Sequence, residues 1–204
     1  MNSLLYRTSV GAIVTSLEPS FGSINGGTIV TVRGSHFTES KALTCRFGTL
    51  HVSAATYLTS QAVTCVSPQR LELGTVSLHV TNDGDRVVAG GHQFFEFVQP
   101  HVVNEMSPRY GSISGNTRVE IRGYGFIETN RLACRFSRSS MSSVVDANYE
   151  SSTQISCISP AAMSTSNVTV EVTVNGQDYV AVPMLFEYIR RPVVTTMTPV
   201  RGPV

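Results

Sequence analysis

A chain of 204 residues, 41% hydrophobic and 8% aromatic, holds material for one large domain or two of ordinary size. Charged residues make up only 14%, and 15 Lys and Arg against 14 Asp and Glu leave it nearly neutral. That balance excludes a strong field for nucleic acid or an anionic membrane, and no apolar run approaches the roughly 20 residues of a bilayer span.

Met1 to Val14 lacks the long apolar stretch and small-residue cleavage site of a secretory signal. Leu4-Leu5-Tyr6 reads instead as the last strand of an earlier repeat. Pro19-Ser20-Phe21-Gly22 suits a type I turn, and Gly26-Gly27 can take the positive φ of a tight turn. Thr28 to Arg33 then alternates, with Val30 and Val32 on the core face. Val76, Leu78 and Val80 mark another alternating strand, and Asn82-Asp83-Gly84-Asp85 a hairpin turn. Further on, Pro108-Arg109-Tyr110-Gly111 and Gly115-Asn116 repeat the turn signals. In Thr117 to Arg122, Val119 and Ile121 face the core while Arg118, Glu120 and Arg122 face solvent. Val168, Val170 and Val172 point inward, Thr169, Glu171 and Thr173 outward, and Asn175-Gly176-Gln177 closes a hairpin. No segment carries a helical period over a dozen residues. The expected fold class is all-β.

An internal repeat sets the architecture. Pro19, Gly22, Ser23, Ile24, Gly26, Thr28, Val30, Arg33, Gly34 and Phe37 recur 89 positions later. The same offset carries Leu43, Cys45, Arg46 and Phe47 onto Leu132, Cys134, Arg135 and Phe136. By Cys65 and Cys157 the offset is 92, and Phe95-Glu96-Phe97 meets Phe186-Glu187-Tyr188 at 91. Met197 to Gly202 opens the pattern a third time. A period near 90 residues is too long for a solenoid repeat and fits a sandwich of about 100.

The ordered motifs are Pro-x-x-Gly, Gly-Gly-Thr before a strand, Arg-Gly-x-x-Phe, Cys-x-Phe-Gly and Cys-x-x-Pro. Pro19, Gly22, Gly26, Gly27, Thr28, Arg33, Gly34, Phe37, Cys45, Phe47, Gly48, Cys65 and Pro68 supply them. This set resembles the IPT/TIG family, the immunoglobulin-like modules of plexins, transcription factors and large surface proteins. The resemblance implies tandem early-set immunoglobulin-like β-sandwiches with a binding or spacing role. Residues 1–14 are then the tail of a preceding repeat, 15–98 repeat 1, 101–190 repeat 2, and 193–204 the start of a third. The second copy departs at Asn116, which still tolerates positive φ, and at Ser137, which replaces the Gly after Cys-Arg-Phe and implies a different connection there.

Four cysteines allow three pairings, and the repeat singles out Cys45 with Cys65 and Cys134 with Cys157. Paired recurrence in a sandwich suits an oxidising compartment; the bland alternative is four buried thiols. Asn167-Val168-Thr169 is a glycosylation sequon whose Asn167 shares the parity of outward Thr169. Asn82-Asp83-Gly84-Asp85 lacks the later acidic ligands of a calcium loop. No cysteine or histidine spacing fits zinc, so no cofactor or metal is expected. His36, His51, His79, His92 and His101 are scattered and none recurs, and Ser67 and Ser159 sit in a Cys-x-Ser-Pro turn without an elbow-helix context. No enzymatic activity is expected.

The leading expectation is an extracellular recognition or adhesion segment of a multi-repeat cell-surface protein, binding a protein partner, copies of itself or adjacent repeats. The alternatives are a self-associating shaft, the spacer of a carbohydrate-active enzyme, and the dimerisation module of a Rel-like transcription factor, against which the missing basic patch argues. Phe21 and Tyr110, at equivalent turn positions, belong either to a module junction or to the edge of a core. Gln99-Pro100-His101 and Arg190-Arg191-Pro192 are linkers of at most about 10 Å each, which favours an elongated arrangement of modules.

Overall fold

The computed structural model describes residues 11–49, 51–83, 91–191, 195–196 and 198. Sixteen strands and no helix make up these residues. Leu4-Leu5-Tyr6, Gly84 and Asp85, and most of the third opening at Met197 to Gly202 lie outside them. Two compact units divide the chain, one formed by residues up to His101 with Asn175–Asp178, the other by Val102–Val174 and the residues from Tyr179 onward.

The first sandwich runs β1 (Ile13–Glu18), β2 (Phe21–Ser23), β3 (Ile29–Ser35), β4 (Thr44–Phe47), β5 (His51–Thr59), β6 (Ala62–Val66), β7 (Gly74–Thr81) and β8 (His92–Val98). One sheet is ordered β1-β3-β6-β5 and the other β5-β4-β7-β8-β2. β5 belongs to both: His51 to Ala54 pair with β4, and Ala55 to Thr59 with β6. The second sandwich repeats this with β9 (Val102–Ser107), β10 (Tyr110–Ser112), β11 (Arg118–Tyr124), β12 (Ala133–Arg138), β13 (Met141–Ser151), β14 (Gln154–Ile158), β15 (Ser166–Thr173) and β16 (Tyr179–Ile189). The chain is all-β, and each unit is an immunoglobulin-like sandwich.

Alternation places the cores. Val30, Val32, Val119 and Ile121 are completely buried, as are Leu78, Val170 and Val172. The rings of Phe47, Phe95 and Phe97 meet edge to face, with centroids 5.0 to 6.1 Å apart. Phe136, Phe186 and Tyr188 form the counterpart. Each such side chain stabilises its fold by about 1.5–3 kcal/mol through burial.

The motif residues meet one another in space. A Cβ on Gly22 would lie 2.8 Å from Thr28 Cβ and 3.0 Å from the Phe95 ring, and one on Gly111 2.7 Å from the Phe186 ring. Pro-x-x-Gly therefore needs glycine because the Thr of the next motif and a core Phe occupy the Cβ space. Gly26, Gly27, Gly115 and Asn116 all have φ between 60° and 86°.

Two expectations are corrected. Pro19-Ser20-Phe21-Gly22 is not a type I turn. The Glu18-Pro19 and Ser107-Pro108 bonds are cis, so the chain redirects at the proline, and Gly22 and Gly111 lie in β2 and β10. These short strands run parallel to β8 and β16. Thr173 is fully buried rather than outward. It sits between Ala133 and Tyr179 on the last rung of its sheet, where parity still fixes the face but no longer the exposure.

Candidate functional site

The cysteines are buried on facing sheets. Cys45 on β4 is joined to Cys65 on β6, with Cα atoms 6.1 Å apart, and Cys134 on β12 to Cys157 on β14, at 6.4 Å. Ser67 and Ser159 have a structural role. Their hydroxyls accept the backbone N–H of Thr28 and Thr117, each at 3.1 Å, tying the Cys-x-Ser-Pro segment to the start of the neighbouring strand, β3 or β11. Asn167 is exposed near the start of β15. Asn175 Oδ1 accepts the backbone N–H groups of Gln177 and Asp178 at 3.0 and 2.8 Å, closing the turn between β15 and β16. In the first unit Asn82 is spent on the chain itself: its Nδ2 donates to His36 O at 2.7 Å and its Oδ1 accepts Thr38 N–H at 3.0 Å. Tyr110 is exposed and Phe21 half-buried.

The histidines are less scattered than their numbers imply. β7 and β8 pair His79 with His92, and their rings lie 4.9 Å apart. Burial, then the charges of His92 and Arg46, hold His79 below the ordinary imidazole value. At the equivalent place in the second unit, Arg135 donates to both oxygens of Glu171, from Nε at 2.7 Å and Nη2 at 2.8 Å. The Arg135 guanidinium also stacks 3.8 Å from the Tyr179 ring.

The second unit carries a cleft of about 460 Å³ at one end of the sandwich. The buried Phe136, Val168 and Tyr188 form its floor, and the exposed Met141 and Met163 also line it. Two local changes distinguish this end from its counterpart in the first unit. β12 has 6 residues and β13 has 11, where β4 and β5 have 4 and 9. The residue of positive φ moves accordingly from Gly48 to Ser139, so the connection after Cys-Arg-Phe is indeed different. The second change concerns the loop after the second cysteine. Arg70 and Ala162 hold equivalent positions, their N–H groups donating to Ile24 O and Ile113 O at 2.9 and 2.8 Å. Arg70 lays its guanidinium over the Phe97 ring at 5.1 Å, whereas Ala162 leaves that space open beside Tyr188. Burial pushes the Tyr188 hydroxyl up to about 12, so it stays protonated and donates to Pro160 O at 2.9 Å. Met163 is 97% and Met141 62% exposed, an adaptable thioether rim over a fixed aromatic floor. Arg138 is the one ionic group in the lining. Such a cleft suits an apolar side chain or short segment of a partner. Sequence reading missed it because its walls, Ser and Ala residues with two Met, carry no motif.

Among the described residues no three His, Cys, Asp or Glu side chains converge as metal ligands, and no helix is long and apolar enough to cross a membrane.

The sequence pattern of the IPT/TIG domain matches residues 12–96 and again 101–188. The chain belongs to the IPT/TIG family. Its IPT/TIG modules resemble those of human Fibrocystin-L, with 24% identity over 195 residues, 95% of this chain and 4% of that protein. Mouse Plexin-A2 is 28% identical over 161 residues, covering 77% of this chain and 8% of the relative. The chain thus spans less than a tenth of either relative. The fold is shared with the structure described as the Plexin A4 full extracellular region, at 18% identity and a TM-score of 0.62, covering 89% of this chain and 16% of that one. IPT/TIG modules of plexin-like proteins are non-catalytic immunoglobulin-like domains. The segment is extracellular or at the cell surface, and the Rel-like reading is not favoured.

Proposed function

We propose that this IPT/TIG segment is a non-catalytic recognition stretch of a larger multi-repeat surface protein, and that the end cleft of the second module takes an apolar anchor from a protein partner. The observation that carries this reading is the exchange of Arg70 for Ala162. Sister modules share a fold and bury the equivalent aromatic, yet where one lays a guanidinium against it the other has Ala162 lining a cleft with two exposed methionines. Exposed apolar surface beside a rigid floor is where partner-binding energy concentrates. The same reading takes Cys45–Cys65 and Cys134–Cys157 as disulfides made in the secretory pathway. It also takes Asn167 as a glycan acceptor. Ser166 and Val168 line the cleft while Asn167 alternates to the other face of β15, so a glycan there leaves the cleft free.

The test is the variant Ala162→Arg, which installs the arginine of the first module. Fluorescent tetramers of the 204-residue chain are measured on a panel of cells. Saturable binding that drops at least about tenfold in A162R, with an unchanged melting temperature, is expected for loss of one anchor. Equal binding by the variant would overturn the assignment to the cleft.

A further inference from the structure

The first module has an arginine whose carboxylate partner is missing. Arg46 on β4 stands opposite His79 on β7, as Arg135 on β12 stands opposite Glu171 on β15. In the second module Glu171 takes both Nε–H and Nη2–H of the arginine, and Ser137 Oγ donates to the same carboxylate at 3.2 Å. In the first module the sequence has His79 where Glu171 would be, and the consequence is visible in the hydrogen bonding. Arg46 Nε is buried with no partner, and so are His79 Nδ1 and His92 Nδ1. Buried polar atoms are nearly always satisfied, and unsatisfied ones call for an explanation. Here three such atoms share one row across the outer face of the β5-β4-β7-β8-β2 sheet.

Among the described residues, no carboxylate from the same face reaches them. Opposite Arg46 on β5 is Val52. Ser77 and Thr81 flank His79 along β7, and Phe94 follows His92 on β8. Glu96 lies four residues from His92, roughly 13 Å along the strand. The row is therefore a cationic and imidazole strip with an apolar border. Val52 and Phe94 are half or more exposed, and the His92 and Phe94 rings meet edge to face at 5.3 Å.

We propose that this face of the first module is a docking site for an acidic side chain of a protein partner, whose carboxylate meets the Arg46 guanidinium from the solvent side and supplies the charge that Glu171 supplies to Arg135 from within its own sheet. A planar carboxylate matches the guanidinium fork in two-pronged fashion. The exposed Phe94 supplies the aromatic contact that commonly anchors such an interface. The occupant is a Glu or Asp with an apolar neighbour, since the strip offers one fork and one ring. This site is separate from the second module's cleft and stands or falls independently of it.

The experiment follows the Arg46 Nε–H and the His79 and His92 ring resonances of the 204-residue chain by NMR. The probes are N-acetyl-phenylalanyl-glutamate amide, its glutamine isostere, and inorganic sulfate. Saturable shifts with the glutamate peptide, at least about fivefold weaker with the glutamine peptide, are expected. His79→Glu should abolish them by filling the site from within. Arg46→Gln serves as a second variant, its fold checked by the unchanged remainder of the spectrum, and should abolish them too. Shifts of equal size from both peptides, or none with the glutamate peptide up to about 50 mM, would overturn the proposal. So would tighter binding of sulfate than of the glutamate peptide, which would assign the strip to a sulfated polymer instead.

Discussion

Both carboxylate oxygens of Glu171 accept hydrogen bonds from Arg135, in a partly buried pair at the outer sheet face of the second module. These hydrogen bonds outweigh burial and hold the Glu171 carboxyl below its usual value of 4.5. A carboxyl with a lowered folded-state value contributes stability that is present above the unfolded value and lost as pH falls through the folded one. Glu171→Gln should therefore cost about 1–2 kcal/mol at pH 7. The gap to the parent should close as the pH falls below about 4.5 and through the lowered folded-state value. Urea unfolding of both chains across that range measures it.

Gly22→Ala and Gly111→Ala should each destabilise their module by about 2 kcal/mol or more, since the added methyl meets a Thr side chain and a core Phe ring at once. The corresponding fall in melting temperature is roughly 10 °C. A calorimetric scan in which G22A lowers one transition and leaves the other in place would assign it to the first module.

Non-reducing peptide mapping should recover Cys45 with Cys65 and Cys134 with Cys157. Replacing either pair by serine should cost its module about 3 kcal/mol, on the loop lengths of 20 and 23 residues. Free thiols or a pair crossing the modules would contradict this.

His36 has φ of 63°, while Gly125 holds the equivalent place at 76°. A left-handed backbone costs a side-chain-bearing residue about 1–2 kcal/mol, part of which glycine gives back as unfolded-state entropy. His36→Gly should thus raise stability by about 0.5–1 kcal/mol, despite losing the exposed contact between His36 Nδ1 and Ser35 Oγ. Thermal unfolding of the variant decides the sign.

Much of the fold was legible because alternation and repetition are written in side chains. Val30 and Val32 announce their face, and Thr64-Cys65-Val66-Ser67-Pro68 announces its partner 92 residues on. The Pro19 turn was not, because Pro-x-x-Gly fits several turn types and cis geometry leaves no mark in the sequence. The candidate surfaces were harder still. The spacing of the histidines does not give the strand register, and it is the register that sets His79 opposite His92. The pairing of these two rings is therefore visible only in the structure. The cleft depends on what Ala162 fails to cover, and a missing side chain gives no positive signal.

A strand that changes sheets halfway along constrains how each sandwich can be assembled. The first four residues of β5 follow the register of β4, and the next five follow that of β6. A slip of one residue in either ladder would turn the inward side chains of the other to solvent. Neither sheet can settle its pairing alone, and β13 imposes the same condition on the second module. Each module should therefore form and melt as one cooperative unit, with no half-built sandwich exposing its strand edges to neighbouring chains in the crowded space outside the cell.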